Sequence, residues 1–364
     1  MQRTESEWAC LLDQPAFALA RQHKRIILNR TCQVLHEHHL KASPAYRTIV
    51  AQLFSDGSFA GTDLETFPFI PVRLFKELDL LSVGQDQVFK TMTSSGTSGQ
   101  ALSKIFLDRT TAQMQTKVLA HIVSQFMGKK RLPLLVIDSA STMANAQSFS
   151  ARAAGIRGFL MFGRDVEYAL DEHMNLDEHR VVHFLDRHAG EPILLFGFTA
   201  MIWHFFVEQL KRRELYLPMD QGILFHGGGW KKMIDQAVNP DTFRNGLADW
   251  TGIKNVHDYY GMVEQTGSIC VECSKGSLHV SSFSDILIRD SHDFRIQPNG
   301  QAGLIQMISV LPFSYPGFSV LTEDMGRILG EDDCPCGLKG RYFEVLGRIP
   351  RAEVRGCSDS YVAS

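Results

Sequence analysis

The sequence predicts an α/β core that passes into a β-rich section. Two observations carry this. Between residues 110 and 226, short apolar runs of buried-strand type alternate with helical stretches. From about Gly267 onward, short runs alternating apolar and polar residues sit between turns rich in Gly, Asp and Pro. The 364 residues are 44% hydrophobic and 21% charged, ample for a large core in one big domain or two ordinary ones. A formal charge of -3 gives no general pull toward nucleic acid or an anionic membrane, so neither is expected as a partner.

The elements follow in order. Residues 14–40 carry helical periodicity through Phe17, Leu19, Ile26, Ile27, Val34 and Leu35. Thr110 to Phe126 reads as a helix after a strand. Leu132–Asp138, Glu191–Phe196 and Gly222–His226 read as buried strands. The longest apolar stretch, Pro192–Phe206, is shorter than the roughly 20 residues a membrane span needs. It holds His204 and lies between Glu191 and Glu208, so a buried strand running into a helix is expected. Leu278–Val280, Asp285–Ile288, Leu304–Val310 and Tyr342–Leu346 are the strands of the β-rich section, expected as a barrel-like appendage to the same domain. The N-terminus, MQRTESEWACLLDQ, lacks the basic-then-apolar build of a signal peptide, so a cytoplasmic protein is expected. Its seven cysteines are then thiols, metal ligands or nucleophiles rather than disulfides.

One loop stands out. Ser94, Ser95, Thr97 and Ser98 surround Gly96 and Gly99, between an apolar lead-in at Gln87–Met92 and a lead-out at Leu102–Leu107. Glycines let backbone N–H groups approach a ligand closely, and small hydroxyls add donors without bulk, so such a loop suits the oxygens of a polyphosphate. A flexible surface hairpin is the plain alternative. No G-x-x-x-x-G-K-[ST] is present, and the flanks predict a loop joining two strands.

Further segments give the loop a context. "FHGGGW" at 225–230 follows a strand, where Gly227, Gly228 and Gly229 let a flat ring lie against backbone. "YYGMVE" at 259–264 joins Tyr259, Tyr260 and Gly261 to the carboxylate Glu264. "TEDMG" at 322–326 and "LGR" at 346–348 come late in the β-rich part. These five motifs, in this order over 255 residues from Ser94 to Arg348, resemble the adenylate-forming superfamily of acyl-CoA ligases, adenylation domains and luciferases. The resemblance implies the large-domain fold of that superfamily and dependence on ATP and Mg²⁺. It makes Ser94–Gly99 the phosphate loop and Gly227–Gly229 the adenine-side segment. Tyr260, with Tyr259 and Gly261 beside it, supplies the aromatic near adenine, and Glu264 the carboxylate for Mg²⁺. Asp324 becomes the ribose-hydroxyl acceptor and Arg348 the arginine before the hinge. The residue types suit the chemistry. A carboxylate attacks the α-phosphorus, and donors with Mg²⁺ stabilise the charge that builds on phosphate oxygens.

Two departures stand beside the likeness. Lys104 lies further on than the lysine that often follows the phosphate loop, and is left out of the site. The sequence ends 16 residues after Arg348, where the superfamily has a small C-terminal lid domain with a catalytic lysine. The expectation is an adenylate-forming domain over residues 1–349 without that lid, its active site completed some other way, and a tail over 350–364. The short build, "FPFIPVRLFK" at 67–76, "GGGWK" at 227–231 and a Gly-Cys near the terminus resemble the acyl-protein synthetases, ligase subunits of the bacterial luminescence fatty-acid reductase. That likeness implies a fatty acid as the carboxylic-acid substrate, an acyl-reductase partner, and Cys357 as the thiol that carries the acyl group. A polar tail exposes a thiol, and Arg355 nearby favours the thiolate.

Cys270, Cys273, His279, Cys334 and Cys336 offer five soft ligands within 67 residues. Structural zinc takes four, tetrahedrally. Cys273, His279, Cys334 and Cys336 are the favoured set, matching a spacing that resembles phenylacetate-type CoA ligases, with Cys270 in reserve. That second likeness keeps free CoA as an alternative acceptor. A catalytically silent scaffold that binds a partner is the remaining alternative, against which the phosphate loop and Glu264 both argue.

Overall fold

The computed structural model describes residues 8–54, 61–94, 102–144 and 151–349. Among these the chain divides into two compact units, one drawn from residues up to 94, 102–126 and 260–349, the other from residues 127–259.

The first unit begins with the helix Arg21–Ala42, which buries Leu28, Cys32 and Leu35 on one side. It starts later than the periodicity from residue 14 suggests. The backbone there is spent on docking: the Ala16 carbonyl accepts from Ser282 N at 2.7 Å and the Phe17 carbonyl from Lys339 N at 2.8 Å. With those carbonyls turned to distant donors, this segment is held in place outside the helix. A second helix, Pro44–Leu53, is capped by Ser43 and opens on proline, which has no N–H to satisfy there. Strand β1 (Ile70–Pro71) is a short piece. Strands β2 (Val88–Thr93) and β3 (Lys104–Asp108) form an antiparallel hairpin, as the loop reading requires. The Asp108 side chain accepts from Thr111 N at 2.7 Å and so caps the helix Arg109–Met127.

The second unit holds a parallel sheet of β4 (Leu132–Ser139), β5 (Gly163–Leu170), β6 (Ile193–Phe198), β7 (Gly222–Gly227) and β8 (Asn255–Tyr260). Tyr260, the last residue of β8, already counts with the first unit. The spatial order is β5-β4-β6-β7-β8. The chain therefore enters in β4, steps to one side, then builds outward on the other. Doubly wound sheets of this order bind ligands at the carboxyl ends of the strands, where the winding reverses. Strand β6 is buried along its whole length and passes into a helix at Thr199, so residues 193–203 of the apolar stretch are core, while Pro192 is exposed and His204 and Phe205 are partly buried.

The rest of the first unit is antiparallel: β9 (Cys270–Glu272), β10 (Leu278–His279), β11 (Ser284–Arg289), β12 (Gly303–Ser309), β13 (Ser319–Glu331) and β14 (Arg341–Arg348). Their order is β11-β12-β13-β14-β10-β9, with β1 parallel to β13. Among the described strands β11 pairs only with β12, so this section is an open sheet rather than a closed barrel. Its apolar face packs Ile286, Ile305, Ile328 and Phe343 around Cys270.

A buried charge network ties the N-terminal helix to this sheet. Lys24 is 1% exposed, 3.3 Å from the Ser281 carbonyl and 3.9 Å from Asp285. Arg341 stands 3.7 Å from the same carboxylate and donates to the Ile286 carbonyl. Burial pushes the Lys24 ammonium below its ordinary range, while Asp285 pulls the other way. Removing one member would strand a charge in the core.

Candidate active site

The neck of the loop expected to hold phosphate is closed by two hydrogen bonds. Ser94 N donates to the Ser103 carbonyl at 3.0 Å, and Ser103 N donates to Ser94 Oγ at 2.9 Å. They extend the β2–β3 ladder past Thr93 and Lys104. Ser95, Gly96, Thr97, Ser98 and Gly99 lie outside the described residues. Lys104, left out of the expected site, ion-pairs with Asp79 at 3.2 Å.

At the carboxyl end of β7, Gly227 stands opposite Tyr259 of β8. A Cβ on residue 227 would lie 2.8 Å from the Tyr259 ring, so glycine is what lets that ring cover the strand. Gly228 and Gly229 then turn with φ of 86° and 61°, a region that glycine enters without strain. Two neighbours of this turn escape sequence reasoning. Thr199 Oγ1 lies 2.9 Å from His226 Nδ1 and donates to the Gly227 carbonyl at 3.1 Å, linking the ends of β6 and β7. Burial, then Arg244 and His257, push His226 down to about 3, so its ring is neutral at physiological pH. Nothing in the spacing of Thr199 and His226 announces the pair; it arises only when parallel strands align.

In the first unit, three residues from separate motifs meet. Tyr260 Oη donates to Asp324 Oδ2 at 2.8 Å, and Arg348 Nε donates to Asp324 Oδ1 at 3.2 Å. The register of β13 and β14 sets this up by placing Asp324 directly opposite Arg348. The Tyr260 ring packs edge-on to Phe343 with centroids 6.0 Å apart. Burial and the Asp324 charge hold its phenol well above the ordinary range, so it remains a donor. Gly261 follows, where a Cβ would sit 2.9 Å from Ile269. Glu264 lies in the tight turn Val263–Gln265 and is buried.

The soft ligands also converge. One atom from each of Cys273, His279, Cys334 and Cys336 lies within 4.8 Å of every other. Cys273 Sγ is 3.9 Å from Cys334 Sγ, and Cys336 Sγ is 3.4 Å from His279 Nε2. A tetrahedral zinc with bonds of about 2.3 Å to sulfur and 2.0 Å to nitrogen has ligand–ligand edges of about 3.5–3.8 Å. The two contacts above, 3.9 and 3.4 Å, lie within about 0.1 Å of that range, and the ligand atoms otherwise spread no further than 4.8 Å. Each cysteine loop also aims a backbone N–H at sulfur: Lys275 N at Cys273 and Leu338 N at Cys336, both 3.4 Å. Burial opposes ionisation of Cys273, but hydrogen bonds involving His279, Lys275, Ser277 and Cys336 outweigh it and bring the thiol down to about 6. Cys270 stays apart. It sits among Ile286 and Phe343 in the sheet core, where burial pushes its thiol up to about 12. Cys357 lies outside the described residues.

The family model described as "Acyl-protein synthetase, LuxE" matches residues 4–363. The chain belongs to the acyl-protein synthetase family. Like other acyl-protein synthetases it is an AMP-forming acid–thiol ligase, which activates an acyl group as the adenylate and transfers it. It is similar to the long-chain-fatty-acid–luciferin-component ligase of Vibrio harveyi, 24% identical over 354 residues, covering 93% of this chain and 88% of that one. Its fold is similar to 2-hydroxyisobutyryl-CoA ligase in the postadenylation state with 2-HIB-AMP. There the TM-score is 0.68 at 16% identity, over 91% of this chain and 69% of the other. An open conformation of that ligase with 2-HIB-AMP and CoA gives 0.68 at 15% identity, over 92% and 77%. The synthetase therefore has the adenylate-forming fold that its five motifs imply. Among the described residues no helix is long and apolar enough to cross a membrane.

Proposed function

We propose that this chain activates a fatty acid with ATP as the acyl-adenylate and passes the acyl group to Cys357, and from there to an acyl-reductase partner. The observation that carries the reading is the meeting of Tyr260, Asp324 and Arg348, three residues from motifs far apart in sequence. Asp324 is an acceptor with both oxygens already directed by donors, a suitable group for ribose hydroxyls. The fatty carboxylate attacks the α-phosphorus, a P–O bond forms, and pyrophosphate leaves. Ser94 to Gly99 would offer backbone and hydroxyl donors to the phosphate oxygens, and Gly227–Gly229 with Tyr259, Tyr260 and Gly261 would border the adenosine. Glu264 supplies a hard oxygen donor of the kind Mg²⁺ takes, and the ion when bound offsets phosphate charge. In the second step the Cys357 thiolate attacks the acyl carbonyl, AMP leaves, and a thioester remains.

We infer further that Cys273, His279, Cys334 and Cys336 hold a zinc ion. The ligand–ligand edges and the two N–H···S turns support it. Four protein ligands leave no open position, so its role is structural. A cytoplasmic setting suits a chain in which the described cysteines, at 10, 32, 270, 273, 334 and 336, form no disulfide.

The test is pyrophosphate exchange into ATP across fatty, aromatic and amino acids, with and without CoA. The reading predicts exchange that needs a long-chain fatty acid and Mg²⁺ and is indifferent to CoA. Exchange confined to aryl or amino acids, or turnover to a CoA thioester, would replace it with the CoA-ligase reading.

A further inference from the structure

We propose that Tyr315 is a positioning residue for adenylation, acting through the backbone of Glu264; this rests on the reading of Glu264 as the Mg²⁺ carboxylate. The Tyr315 phenol is wholly buried, donates to the Glu264 carbonyl at 2.9 Å, and accepts from Gln115 Nε2 at 3.2 Å. Burial pushes that phenol far above its ordinary range, so it stays a donor at any working pH.

The turn that presents Glu264 is held from three directions. Gln265 Nε2 donates to the Met307 carbonyl of β12 at 3.0 Å and to the Gly317 carbonyl at 2.9 Å. Ser268 Oγ lies 2.6 Å from Ser309 Oγ at the end of β12. From the third side comes the helix Arg109–Met127. Gly267, with φ of 91°, lies so close to it that a Cβ would stand 2.6 Å from the Gln115 carbonyl. Gly317 completes the frame. A Cβ there would run into the Tyr315 ring and stand 2.8 Å from the Glu264 carbonyl, so only glycine lets the phenol reach its acceptor. The hydroxyl is thus aimed at the one residue of this turn that carries the predicted chemistry.

A metal ligand works only when its oxygens are held at the right place, and a turn freed on one side spreads them. Loss of the Tyr315 hydroxyl should weaken Mg²⁺ use before it weakens turnover. The experiment measures acid-dependent pyrophosphate exchange against Mg²⁺ concentration in wild type, Tyr315→Phe, Glu264→Gln and the double variant, with thermal melting alongside. Tyr315→Phe should raise the half-saturating Mg²⁺ by about fivefold, keep most of the rate at saturating Mg²⁺, and add nothing in the Glu264→Gln background, since residues in one network are not additive. Glu264→Gln alone should slow exchange by about tenfold. An equal shift in both backgrounds would overturn the proposal, because Tyr315 would then act on the fold at large. No shift from Tyr315→Phe beside a clear Glu264→Gln defect would overturn it and leave the Glu264 reading standing. No effect of Glu264→Gln would overturn both. Should Tyr315→Phe fail to fold, Gln115→Met removes only the donor to the phenol. It should raise the Mg²⁺ requirement in the same direction, and an unchanged requirement there would equally refute the proposal.

Discussion

At Asp324 each carboxylate oxygen has its own donor, Tyr260 on one and Arg348 on the other. An amide in that place offers one acceptor instead of two and turns an N–H₂ toward an existing donor. Asp324→Asn should therefore raise the ATP concentration for half-maximal exchange by about tenfold, the cost of one lost charge-assisted bond. An unchanged ATP requirement would remove Asp324 from the nucleotide site. That Tyr260, Asp324 and Arg348 meet is what the structure adds; the three were legible in the sequence only through the likeness of their motifs, in order, to the adenylate-forming superfamily. Thr199, His226 and Tyr315 were not. Each acts through a partner at least 27 residues away, and a threonine, a histidine or a tyrosine in an apolar run looks like core. The pairing exists only once strands and turns align.

At the scale of elements, buried histidines join helix to loop and strand to strand. His39 of the helix Arg21–Ala42 lies between Ser82 Oγ at 2.8 Å and the Pro312 carbonyl at 3.2 Å, near His36 and His38, and burial above all holds it well below its ordinary range. His226 on β7 faces Thr199 and Asp258 and is held at about 3. Unfolded histidine titrates near 6.5. As pH falls through that value the unfolded chain gains protons that the folded chain refuses, so stability is lost downward from about 6.5, on the order of 1 kcal/mol per pH unit for each histidine. The urea midpoint should be lower at pH 5.5 than at pH 7.5, and an equal or higher midpoint would contradict this. The cysteine loops make a second elemental prediction. Beyond Cys336, Lys339 N donates to the Phe17 carbonyl and Gly340 N to Asp332, which also receives Arg21 N, so the cysteine loop fastens the start of the N-terminal helix. Protein purified without chelator should carry about one zinc per chain, and Cys334→Ala should lower thermal stability while leaving ATP affinity largely intact. A metal-free preparation of full stability would refute the site. Most elements were legible from period and turn residues. The start of the first helix and the openness of the sheet were not, because both depend on distant backbone partners that no local pattern encodes.

For the molecule as a whole, the family match over residues 4–363 supports acyl-adenylate formation followed by acyl transfer, on an adenylate-forming fold. The proposed intermediate between the adenylate and the final acceptor is a thioester. The glycine turn and Tyr259 stand at the carboxyl ends of a parallel sheet, and Tyr260, Asp324 and Arg348 gather in the antiparallel unit. What would divide the proposed protein-thiol ligase from one that uses free CoA is the acceptor thiol. Cys357 lies nine positions beyond Arg348, a length that spans at most about 30 Å when extended. The central claim is tested most directly by peptide mass spectrometry of the C-terminal fragment after a single turnover with ATP, Mg²⁺ and a labelled fatty acid. The wild type should carry the acyl mass on Cys357, removable by hydroxylamine, while Cys357→Ser should still release pyrophosphate and form acyl-AMP but hold no thioester and pass none to a partner. Full acyl transfer by Cys357→Ser, to CoA or to protein, would contradict the account.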